Sequence, residues 1–176
     1  MSWFMVDVEA NGPIPGDYSM TEVGVVRMDA DLQTTFHGKL CPLPGASWQD
    51  EAYAVVGYDH QTACSFPDPV QTMLKFEDWV KEVNRNGKPC FIADNNGFDY
   101  GFVNWYFWHF LGRSPFGHSS TNLGSLYKGL VKDFSKNFKH LRKTKHDHNP
   151  VNDARGNAEA LHHMVKEMGL NMFGVK

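Results

Sequence analysis

Trp3-Phe4-Met5-Val6-Asp7-Val8-Glu9-Ala10-Asn11-Gly12-Pro13 begins as an apolar run and ends in a turn. It reads as a buried β-strand that leaves the core at Asn11-Gly12-Pro13. Asp7 and Glu9 are two positions apart, so their side chains leave the same face of the strand, with Cα atoms roughly 7 Å apart. Val6 and Val8 turn to the other face and anchor the strand. Two carboxylates on one strand face repel each other and are costly unless a cation lies between them. An oxygen-only donor pair suits Mg²⁺ or Mn²⁺ better than zinc. An acidic pair at a strand end is also ordinary exposed surface, so the reading depends on what else the chain brings to it.

Working outward, Met20 to Met28 carries Val23, Val25 and Val26, and Thr34 to Cys41 follows after the Asp29-Ala30-Asp31 break. With the first strand these make an antiparallel meander of three. Residues 42–70, rich in Pro and Gly, read as a long, partly helical connection holding Trp48, Tyr53, Tyr58 and Phe66. Met73, Phe76, Val80 and Val83 recur at helical spacing, with Asn86-Gly87 as the stop. Cys90 to Ala93 is a short buried strand. It leads into a helix over about 98–111, with Phe98, Phe102, Trp105 and Trp108 along one side and Gly112 ending it. Another helix is expected over 121–131, then a basic loop. A last helix over about 152–168 carries Ala154, Ala158, Leu161, Val165 and Met168 as its buried stripe.

Three further residues join the first pair. Asp99 stands at a strand–turn–helix junction, where a carboxylate also favours the helix N-terminus electrostatically; Asp94 is an alternative cap. His148 and Asp153 lie in His148-Asn149-Pro150-Val151-Asn152-Asp153, where Asn152 reads as the cap of the last helix. Each of these, taken singly, has an ordinary structural explanation. In combination they resemble the DEDDh branch of the 3′–5′ exonuclease superfamily, the group of proofreading exonucleases, ribonuclease T and oligoribonuclease. Asp7-Val8-Glu9 matches the first motif, Thr21-Glu22-Val23-Gly24-Val25 the companion strand, Asn95, Phe98 and Asp99 the second motif, and His148, Asp153 and Ala154 the third. The matches run in order over nearly the whole chain, and Gly57 falls where the family has a glycine-containing segment. Ala10 replaces the family's usual Thr, and Asp94 replaces its usual His.

The resemblance implies a single α/β domain over 1–176 with a ribonuclease H-like fold: a mixed sheet, antiparallel meander plus parallel strands, flanked by helices. It implies a two-metal hydrolysis of single-stranded nucleic acid from the 3′ end to nucleoside 5′-monophosphates, with RNA slightly favoured over DNA. Asp7, Glu9 and Asp153 are the expected direct ligands of two Mg²⁺ or Mn²⁺ ions, Asp99 an outer member, and His148 the general base. Ala10, Asn11, Gly12, Asn95, Phe98, Lys143 and Lys145 are expected to contact substrate. Trp48, Tyr53, Tyr58 and Phe66 are candidates for a stacking wall. Arg155 is placed to orient ligands or to make a structural ion pair. A homodimer is one arrangement the resemblance allows.

Composition agrees with a folded enzyme. At 176 residues with 41% hydrophobic content the chain suits one well-buried core, with no linker or repeat that would divide it. The net charge of −3 conceals an uneven distribution: residues 128–147 hold seven Lys or Arg against two acids, leading directly into the His148 motif. Such a segment attracts phosphates, though a solvated loop has the same composition. Three scattered cysteines argue against a disulfide framework and point to a reducing cytoplasm. No leader and no apolar run long enough for a membrane span is evident. Two other functions share this composition. One is a catalytically silent nucleic-acid-binding or protein-interaction module on the same fold, which loss of an acidic ligand would mark. The other is a metal-binding regulator built on His146, His148, His162 and His163, weakened because neighbouring histidines on a helix point apart.

Overall fold

The computed structural model describes residues 1–49, 57–173 and 175. A five-stranded sheet is built from β1 (Trp3–Ala10), β2 (Met20–Arg27), β3 (Thr35–Lys39), β4 (Cys90–Ala93) and β5 (Ser120–Asn122), in the order β3-β2-β1-β4-β5. The first three strands form the antiparallel meander, while β4 and β5 run parallel to β1. The helices are α1 (His60–Cys64), α2 (Pro69–Val83), α3 (Asn96–Leu111), α4 (Leu123–Val131) and α5 (Pro150–Glu167), with a 3₁₀ turn at Lys139–Leu141. The fold is the mixed α/β architecture expected.

Alternation along β1 sends its side chains into two cores. Phe4, Val6 and Val8 pack on one face with Met73, Phe76, Phe102 and Tyr106 from α2 and α3. Met5 enters the other core, with Ile92, Leu123, Ala154, Ala158 and Leu161 from β4, α4 and α5. Asp7 and Glu9 continue the Met5 face, so they emerge beside α5 where the apolar contacts end. The C-terminal ends of β1 and β4 open toward the first turns of α3 and α5. Ligand sites in sheets with parallel strands gather at such carboxyl ends.

Three local readings need correction. Residues 120–122 are a strand, β5, paired in parallel with β4, and the helix begins only at Leu123. The buried side of α3 is Asp99, Phe102, Val103, Tyr106 and Phe107, whereas Trp108 is 54% exposed. α3 is apolar nearly all round, so no polar face marks its solvent side. The cap of α5 is Asn149, not Asn152. Its side chain accepts from the amides of Val151 and Asn152, and Pro150 takes the first helical position, where its missing N–H costs nothing. Asp153 is therefore the fourth residue of the helix, at the end of its first turn, rather than its first. Tyr53, one of the expected wall aromatics, lies outside the described residues.

Candidate active site

Four elements deliver the site. β1 contributes Asp7 and Glu9, α3 contributes Asp99, α5 contributes Asp153, and the loop before α5 contributes His146 and His148. Asp99 is 5% exposed and its Oδ1 accepts a 3.1 Å hydrogen bond from the Val8 amide, which ties the first turn of α3 to β1 between the two acidic positions. Asp153 is 3% exposed. It reaches the end of β1 because α5 lies directly on β2 at Gly24, the residue paired with Asp7. A Cβ at Gly24 would fall 2.1 Å from the backbone carbon of Pro150, so only glycine admits the helix this closely.

One carboxylate oxygen from each of Asp7, Glu9 and Asp153 lies within 4.8 Å of the others, a spacing that lets a single divalent cation take all three. The electrostatics agree with a cation site. Burial, with Asp99, Glu9 and Asp153 nearby, holds the Asp7 carboxyl well above the usual range. Burial and the charge of Asp153 push Glu9 up to about 8. Burial raises Asp99 to about 7 against the opposing hydrogen bond from Val8. Burial likewise raises Asp153, with His146 acting against it. Asp153 Oδ2 is a buried atom without a hydrogen-bond donor: His146 Nδ1 approaches it to 2.7 Å, but not in hydrogen-bond alignment. Four clustered acids raised by burial and mutual repulsion, against only the partial relief of the Val8 and Asp147 amides, Arg142 and His146, fit hard divalent cations, and these residues fit the Mg²⁺ or Mn²⁺ that the sequence implied.

His148 occupies the left-handed region, with φ 59, in a turn where Asp147 Oδ1 accepts from the Asn149 amide. This conformation aims its exposed ring back over Asp153, and the His146 and His148 rings lie 4.5 Å apart. Beside His148 opens a groove of about 420 Å³, also lined by Glu22, His37, Lys39, Tyr58 and Phe66. Tyr58 and Phe66 meet edge to face at 5.0 Å, and the Lys39 ammonium lies over both rings. Two of the expected wall aromatics thus stand next to the proposed base. Trp48 instead meets His60 of α1 at 4.1 Å.

The remaining expected contacts divide. Ala10 and Phe98 are half-buried at the site's margin, Phe98 packing on Phe102 at 4.9 Å, and Asn95, Lys143 and Lys145 are exposed. Asn11 is 1% exposed and its amide is committed to Ser19 and Ser47, so it shapes the turn after β1 rather than presenting a free side chain. Gly12 is required by the Tyr18 ring packed against it. Arg142, one of the seven bases of residues 128–147, is nearly buried and pairs with Asp94 at 3.1 Å, and its charge acts against the burial that raises the Asp7 and Asp153 carboxyls. Arg155 makes no ion pair among the described residues, and its Nε has no hydrogen-bond partner. Sequence reasoning gave no site role to Glu22. It lies across from Glu9 on β2, is buried, and is held by His37 at 2.5 Å and Lys39 at 3.5 Å. Burial acts to raise its pKa, but His37 and Lys39, with a hydrogen bond from Tyr58, outweigh burial and lower it. His162 and His163 lie on α5 more than two turns past Asp153 and do not join His146 and His148.

Residues 4–161 match the exonuclease family (RNase_T). The chain belongs to that family. It is a 3′–5′ exonuclease of the DEDDh branch, a nuclease that acts on nucleic acid. The 3′-5′ DNA exonuclease Cap18 of Escherichia coli is 33% identical over 164 residues, covering 88% of this chain and 86% of that protein. Among solved structures, the DEDDh nuclease domain of 3′hExo bound to rAMP superposes with a TM-score of 0.76 at 17% identity, covering 99% of this chain and 97% of that one. E. coli exonuclease I in complex with a dT13 oligonucleotide gives 0.75 at 15% identity, covering 95% of this chain but only 41% of that one. At these identities the structural likenesses establish the fold. No helix among the described residues is long and apolar enough to cross a membrane.

Proposed function

We propose that the protein removes nucleoside 5′-monophosphates one at a time from the 3′ end of single-stranded DNA. The observation that carries this is the convergence of Asp7, Glu9 and Asp153 oxygens within 4.8 Å, with the His148 ring on the same Asp153. Two Mg²⁺ or Mn²⁺ ions held by this cluster would supply charge neutralisation at the scissile phosphate and at the attacking and leaving oxygens. Asp7, Glu9 and Asp153 would hold them directly. Asp99, fixed to the Val8 amide, braces the cluster from the α3 side.

His148 takes a proton from the attacking water at a ring nitrogen. The water oxygen bonds to phosphorus and the P–O3′ bond breaks with its electron pair going to O3′, which takes a proton from solvent, so the shortened strand ends in a 3′ hydroxyl while the freed nucleotide keeps its 5′ phosphate. The groove beside His148 offers Tyr58 and Phe66 as apolar surface and Lys39 as a cation for the approaching strand. Exposed Lys143 and Lys145 lie just upstream of the histidine loop and supply further positive charge. DNA takes precedence over the RNA favoured from sequence because Cap18, similar over 88% of this chain, is a DNA exonuclease. Matched single-stranded DNA and RNA oligonucleotides of one sequence, incubated with Mg²⁺, test the choice. DNA is expected to shorten faster. Equal or faster loss of RNA overturns the sugar preference, and binding without shortening of either selects the silent module.

A further inference from the structure

We propose that His146, His148 and Asp153 form a second, zinc-selective metal site that overlaps the catalytic carboxylate cluster and shuts it when filled. One ring nitrogen of each histidine and an oxygen of Asp153 lie within 4.8 Å of one another. Both rings are exposed, so a metal can reach them, while Asp153 is 3% exposed and its Oδ2 lacks a hydrogen-bond donor. The loop presents the rings side by side at 4.5 Å because His148 takes a left-handed turn between Asp147 and Asn149. Two imidazoles and one carboxylate, with a fourth position for water, match the donor set and coordination number of Zn²⁺. They are a poor match for Mg²⁺, which demands six hard oxygen ligands.

The overlap gives the site its effect. Asp153 belongs to both donor sets, so zinc on the histidines competes with the catalytic cations for its carboxylate. It also ties up His148, the proposed proton acceptor. His146 is the residue that adds a third donor to His148 and Asp153, and so turns a base beside a carboxylate into a transition-metal site. Zinc binding rests on the placement of the two rings and Asp153, whereas inhibition rests on the exonuclease reading.

Calorimetric titration of chelator-stripped protein with Zn²⁺, with Co²⁺ visible absorption reporting nitrogen coordination, reads binding without activity. The parent is expected to bind zinc, and His146→Ala, His146→Gln and His148→Ala each to weaken it by at least roughly tenfold. Asp7→Asn, which removes only a carboxylate of the other cluster, is expected to retain it. In the presence of excess Mg²⁺, zinc inhibition of nuclease turnover should move to higher zinc in His146→Ala by the same factor. Circular dichroism checks that each variant is folded, and the two His146 variants guard against the misfolding of one. Unchanged zinc affinity in a folded His146 variant, or loss of zinc binding in Asp7→Asn but not in His146→Ala, overturns the proposal.

Discussion

Replacing Gly24 by Ala should disable the site without touching any of its acidic residues. Gly24 sits opposite Asp7 on β2, and the α5 backbone at Pro150–Val151 rests on its bare Cα. An added methyl carbon would lie 2.1 Å from Pro150 C and 2.3 Å from both Pro150 O and Val151 N. Carbon atoms settle about 3.5 Å apart, so the two backbones must separate by about 1.4 Å. Neither side yields easily, because β2 is paired on both edges and α5 is anchored by Ala154, Ala158 and Leu161 in the core. Overpacking of this kind costs about 1–3 kcal/mol. Asp153 and the His146–His148 loop ride on the first turn of α5, and a displacement of about 1 Å at reacting groups can cost roughly 100-fold in rate. The expected result is a lowered melting temperature and at least that loss of exonuclease turnover in protein that remains folded, with weakened Mg²⁺ binding by calorimetry. A folded Gly24→Ala variant with parental Mg²⁺ affinity and turnover would refute the claim that this contact places Asp153.

Two further outcomes follow from the charges and from the base. Glu9, held near 8, and Asp99, near 7, keep protons that the unfolded chain releases near its ordinary carboxylate values of about 4–4.5, so the folded state binds more protons across that window. Stability of the metal-free protein is therefore greatest below about pH 4.5 with respect to these groups and falls as pH rises toward 8. Melting curves from pH 5.5 to 8.5 should show the metal-free melting temperature declining, and Mg²⁺ should raise it more at pH 8 than at pH 6, because the cation must displace protons to bind. A metal-free melting temperature that climbs over this range contradicts the buried-acid account. His148→Ala should slow turnover by about 10²–10⁴-fold while Mg²⁺ binding persists, and normal turnover in that variant removes His148 as the base.

How much of this was legible in the chain depended on distance along it. The placement of Asp7 and Glu9 on one face needed only the two-residue period of a strand, and β1 bears it out, with Val6 and Val8 in the opposite core. The order of the acidic motifs was local information too. Asn149 escaped notice as the α5 cap because Asn-Pro reads equally as a loop, although it is also the cap and first-position pair that proline favours. β5 is three polar residues, Ser-Thr-Asn, with no apolar run to announce a strand; only pairing with β4 makes it one. The Arg142–Asp94 pair spans 48 positions, and no local pattern distinguishes a buried arginine from the solvated lysines around it. Gly24 was visible as a glycine in a β-rich run, but the helix backbone that excludes every other residue there comes from 126 positions away in the chain. What stayed hidden was long-range approach, not local preference.

The most direct test of the central claim is a 5′-labelled single-stranded DNA incubated with the protein and Mg²⁺, read as a time course beside EDTA and Asp7→Asn controls. The account predicts a ladder that shortens stepwise from the 3′ end, nucleoside 5′-monophosphates as the released product, and no shortening in either control. Internal cuts, nucleoside 3′-monophosphates, or shortening that continues in EDTA or in Asp7→Asn would contradict it.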